Sequence, residues 1–109
     1  MLGETVGSIN ITASGYLITR VNTHAGVTVT EYPETVITHL HLISSSTASV
    51  ITISNGQGGI VYIKETGPTV STGADFDYGV FGINFPLGAY VTVDANIVSA
   101  TFTCKANKA

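Results

Sequence analysis

The alternation between Tyr90 and Cys104 constrains this chain more than any other feature. Val91 and Val93 take one face, and Tyr90, Thr92 and Asp94 take the other. Beyond a turn at Asp94-Ala95-Asn96, Val98, Ala100, Phe102 and Cys104 share a face opposite Ser99, Thr101 and Thr103. A two-residue period means strands with one face buried and one wet. The short polar side chains of Asp and Asn bond nearby backbone and favour the turn between them, so a β-hairpin is predicted. Pro86, which cannot donate to a ladder, and Gly88 interrupt the chain just before it. The predicted core comprises Ile11, Leu40, Leu42, Val91, Val93, Val98, Ala100 and Phe102.

The rest of the chain carries the same bias. Val, Ile and Thr number 39, against 5 Leu. Branching at Cβ costs rotamer freedom in a helix and packs well on a pleated surface. Strands are predicted at Ser8–Thr12, Tyr16–Asn22, Val27–Tyr32, Thr35–Ser44, Ala48–Ser54, Ile60–Glu65 and Asp75–Gly82, ahead of the closing pair. Within Thr35–Ser44, Val36, Leu40 and Leu42 fall on one face, and Ile37, His39, His41 and Ile43 on the other. Both faces are partly apolar, which suits a central strand or one whose outer face meets another subunit. Asn55-Gly56-Gln57-Gly58-Gly59 is a strong hairpin turn. Eight or nine short strands, with no helical window, predict an all-β sandwich or barrel. The 109 residues fit one domain, with residues 1–7 as an arm or short edge strand.

Composition narrows the partners. Only four cations, Arg20, Lys64, Lys105 and Lys108, stand against seven acids, for a net charge of −3. Nucleic-acid surfaces cluster Lys and Arg, so no nucleic-acid partner is expected. No apolar run approaches a membrane span, and the first residues lack a signal-peptide pattern, so a cytoplasmic site of synthesis is expected. Low charge leaves much of the surface to Thr, Ser, Gly and apolar side chains, as in proteins buried in an assembly. The single cysteine, Cys104, excludes an internal disulfide and reads as a buried, inert thiol.

No catalytic constellation emerges. His39 and His41 form an HxH pair whose imidazoles share a strand face, but a metal needs three or four ligands and His24 lies elsewhere in the sequence. Together with Pro86-Leu87-Gly88 the pair invites comparison with cupins. Those metal enzymes add a Glu after the HxH and a His after the P-x-G; neither is present here. Asp75 and Asp77 would share a face and read as a solvated edge, with too few oxygen ligands for Ca²⁺. The Asn55–Gly59 loop lacks the Lys-Ser/Thr of a phosphate loop, and no serine sits on a nucleophile elbow. No catalytic, cofactor-binding or metal-holding residue is therefore expected.

The stretch from Thr38 to Lys105 resembles small virion proteins of tailed bacteriophages. It runs HLHLIS, SVITISNGQGG, IVYIKE, a polar loop, FPLGAYV and SATFTCK. The resemblance is to head decoration or cement proteins and some tail components. It implies a β-sandwich of jelly-roll type, often trimeric, that binds a major capsid protein in the virion, after assembly in the bacterial host's cytoplasm. The alternative is a tail-associated receptor- or glycan-binding module, and behind it a cupin-like metal-dependent enzyme. Sugar platforms need exposed aromatics; this chain has no Trp but five Tyr.

Overall fold

A computed structural model describes residues 3–45, 49–67 and 73–107. In order, the strands are β1 (Gly3–Ile11), β2 (Gly15–Tyr16), β3 (Arg20–His24), β4 (Val27–Glu31), β5 (Thr35–Ser44) and β6 (Val50–Asn55). β7 (Val61–Thr66), β8 (Ala74–Asp77), β9 (Ile83–Phe85), β10 (Ala89–Val93) and β11 (Ile97–Asn107) follow. The predicted strand at Tyr16–Asn22 splits into β2 and β3, and β9 is additional. All pairing is antiparallel.

One sheet has the order β1-β11-β5-β8, with β9 also on β5; the other has β2-β10-β6-β7. The chain passes back and forth between the two layers of an all-β sandwich. Both layers contribute to one core. Ile37, Leu40, Leu42, Ala100 and Phe102 come from the first, and Ile51, Ile53, Ile63 and Val91 from the second. β5 is an internal strand, as its two partly apolar faces predict. Of the two expectations for residues 1–7, residues 3–7 continue the edge strand β1 along β11. Residues 1 and 2 lie outside the described segments.

The predicted terminal hairpin does not form. β10 pairs with β2 and β6, whereas β11 pairs with β1 and β5. Both strands turn an apolar face to the same core, but from opposite layers. The Asp94-Ala95-Asn96 turn is therefore a corner between sheets. Asp94 Oδ2 accepts from Val50 N at 2.8 Å, and Asn96 O accepts from Ser45 N at 2.8 Å. Those bonds tie the corner to the strands on either side.

Two bulges correct the predicted faces. In β11, Ile97 pairs with Ser44 and Ser99 with Ile43, so Val98 is an extra residue. It points outward at 54 % exposure while Ile97 is buried, so Val98 leaves the predicted core. In β5, His39 pairs with Thr103 and Ile37 with Cys104, leaving Thr38 as the insertion. Ile37 consequently joins Leu40 and Leu42 inside, where Val36 was expected. A bulge inserts one residue and so inverts the alternation beyond it. Of the remaining predicted core, Leu40, Leu42, Val91, Ala100 and Phe102 are buried, and Ile11 and Val93 pack against it half-buried.

The β3–β4 hairpin stands apart as a two-stranded sheet. Ala25 and Gly26, at φ of 53° and 81°, make its turn. Positive φ at both central residues matches the right-handed twist of the flanking strands. Val21, Val27 and Val29 on this ribbon are all exposed.

Candidate functional site

Three surface features stand out, and two of them unite residues far apart in sequence. The first is on the outer face of the β5–β8 pair. Register places His41 opposite Asp75 and His39 opposite Asp77. Asp75 Oδ1 lies 2.8 Å from His41 Nδ1 and 3.0 Å from His39 Nε2. The hydrogen bonds from His41 and then His39 hold the Asp75 carboxyl below its usual range. Both imidazoles thus share one exposed carboxylate. Asp77 turns away, its Oδ1 accepting from Gly79 N at 2.9 Å. His24 is on the separate hairpin, opposite Val27. Among the described residues, no group of three His, Cys, Asp or Glu is arranged to hold a metal ion.

The second feature is the turn after β8. On the predicted strand Asp75–Gly82, a two-residue period lines Val80 up with Phe76 and Tyr78. Instead, Gly82 N donates to Gly79 O at 3.2 Å and closes a turn that projects Val80 and Phe81. Their exposures are 85 % and 93 %, the highest of the large apolar side chains among the described residues. The turn is braced. Gly82 has φ +66°, and a Cβ there would come within 2.5 Å of Ile37 O, so only glycine fits. Tyr78 N donates to Thr38 O at 2.9 Å. The Tyr78 hydroxyl donates to Glu65 Oε2 at 2.9 Å, joining this end of the first sheet to β7 of the second. Burial, reinforced by Glu65, pushes the phenol's pKa up, so it remains a donor.

The third feature is a tyrosine cluster on the second sheet. Tyr16 and Tyr90 are cross-strand partners, and their rings meet edge to face at 5.0 Å. Tyr32, beyond the hairpin, stacks on Tyr16 with centroids 3.7 Å apart and planes at 9°. Gly88 lies beneath: a Cβ there would meet Tyr32 at 3.1 Å and the Tyr16 ring at 3.3 Å. The Asn55–Gly59 turn closes over the edge. Gln57 N donates to the Tyr16 hydroxyl at 2.8 Å, and Gln57 Nε2 reaches the Tyr90 hydroxyl at 3.5 Å. Gly56 N bonds Gly88 O at 2.9 Å and Leu87 N bonds Asn55 Oδ1 at 2.7 Å, fixing the two loops to one another.

Sequence reasoning singled out the HxH pair, Asp75 and the Asn55–Gly59 turn, but did not join the histidines to Asp75. It missed the tyrosine cluster and the projecting turn. The flanking glycines of Gly79-Val80-Phe81-Gly82 were the available signal for the turn; the tyrosines had none, because their meeting depends on topology. Comparison of the chain with protein-family models, curated proteins and solved structures finds no match.

Proposed function

We propose that this chain is a non-enzymatic structural protein that docks on a larger protein shell. The model is the small head decoration or cement proteins of tailed bacteriophages, which its sequence pattern resembles. In this reading it binds the major capsid protein as a homo-oligomer, a trimer, and stabilises the virion. The observation that carries the reading is the braced Gly79–Gly82 turn. Val80 and Phe81 are held out in water at 85 % and 93 % exposure. Such a placement costs solubility and returns nothing to the chain's own core. It supplies an apolar anchor for a pocket on a partner. Low charge and the exposed valines of the hairpin favour assembly in the same way.

Two measurements test this. Light scattering at micromolar concentration should give a mass near three times 11.3 kDa. A clean monomer removes the trimer. An adjacent reading frame for a major capsid protein should exist, and shells assembled from that protein should co-sediment with this chain. Phe81→Ser should abolish co-sedimentation while leaving the far-UV spectrum intact. Equal binding by the folded variant removes the docking role of the turn.

A further inference from the structure

We infer that the Tyr16–Tyr32–Tyr90 cluster is a binding platform for a neutral saccharide. This goes beyond the assembly reading and does not rest on it. Three segments that are remote in sequence converge here, and the fold spends specific contacts on holding them. Gly88 lies beneath the stacked pair at φ +89°, which L side chains rarely adopt, and a Cβ there would press on both Tyr32 and the Tyr16 ring. The pinned Asn55 and Leu87 loops carry Gln57 to the rim. The site is therefore preformed, which lowers the ordering cost that a shallow site can least bear.

Its chemistry selects the ligand. Tyr32 is covered by Tyr16 on one side and remains 42 % exposed, which leaves aromatic surface to the solvent. The weakly polarised C–H face of a pyranose packs on such a ring. Sugar hydroxyls need directional partners beside that surface. The exposed Gln57 amide offers both a donor and an acceptor. The Tyr16 hydroxyl, which accepts from Gln57 N, keeps its own hydrogen to donate. Leu87, 65 % exposed, lies against Gly56 in the adjoining turn and adds apolar surface next to Gly88 in the chain. None of these side chains carries a charge. A single-stranded nucleic acid also stacks on aromatics, but it requires cations along its backbone. A neutral saccharide does not.

The test is saturation-transfer difference NMR with maltose, lactose, mannobiose and N,N′-diacetylchitobiose, with adenine as the non-sugar aromatic control. At least one sugar should receive saturation on its ring C–H protons, with a dissociation constant on the order of 1 mM, as befits a shallow site. Tyr32→Ala, at a solvent-facing ring, should weaken that binding by about tenfold or more. Gln57→Ala should weaken it less. Should Tyr32→Ala lose its far-UV spectrum, Gln57→Ala reads the same site through an exposed side chain. Silence from all four sugars overturns the inference, as does binding unaffected by both folded variants. Saturation of adenine alone overturns it too. None of these outcomes alters the oligomeric mass or the Phe81→Ser result, so the two readings fail separately.

Discussion

Phe102 is wholly enclosed between the two sheets, and it pairs in register with Leu40 on one side and Ile9 on the other. Truncation to alanine removes a ring whose neighbours belong to sheets pinned by their own ladders, so the cavity collapses only in part. Phe102→Ala should cost about 3–5 kcal/mol, read as a lower midpoint in chemical denaturation at unchanged slope. Two residues on, Cys104 is 2 % exposed on the same inner face. Burial pushes its thiol from 9.0 up to about 11. The folded state thus holds the proton more tightly than the unfolded chain. That contribution to stability is complete below pH 9.0 and is lost as the pH rises toward about 11. Folded protein should consume no Ellman's reagent at neutral pH, and one equivalent once unfolded. Rapid reaction in the native state contradicts the burial.

Within the elements, the alternation marks the strands but not where it slips. Thr35–Ser44 and the run into Cys104 were legible as strands because β-branched side chains and a two-residue period coincide there. Their faces were only half legible. Thr38 and Val98 look like any other strand residue, and only register against the neighbouring strand shows that each is an insertion. The hairpin between β10 and β11 failed for a related reason. Asp94-Ala95-Asn96 is good turn chemistry for a hairpin and for a corner alike, and the choice belongs to the second sheet. The bulge in β11 makes an opposed pair of predictions. Ile97→Ala should lower stability by about 2–4 kcal/mol, whereas Val98→Thr should stay within about 0.5 kcal/mol. Thermal melts of the two variants compare them directly. The reverse ranking restores the unbulged alternation, with Val98 inside.

Across the whole molecule, the surface features were the least legible. The histidines share Asp75 only because β8 lies beside β5, and the tyrosines meet only because β2 and β10 are neighbours. Both pairings connect segments more than thirty residues apart and leave no local trace. The same topology divides the protein into a sandwich, which carries the core, and a hairpin, whose two strands form a sheet of their own. Arg20 and Glu31 face each other across the hairpin's base. Antiparallel partners are about 4.5–5.5 Å apart at Cα, so a short glycine linker spans the gap. Loop closure changes little with such a replacement, since its entropy depends only weakly on length. An isolated two-stranded ribbon is marginal in water and adds little to its host. Replacing residues 20–31 with three glycines should therefore leave one cooperative transition, with a melting temperature within a few degrees of the parent. Tyr32 should stay stacked on Tyr16, because Gly88 and the Asn55–Gly59 turn hold that pair from the sandwich side. Calorimetry of the shortened chain gives the answer. A broad or early transition means that the ribbon's exposed valines support the core; an unchanged one frees the hairpin for contacts outside the molecule.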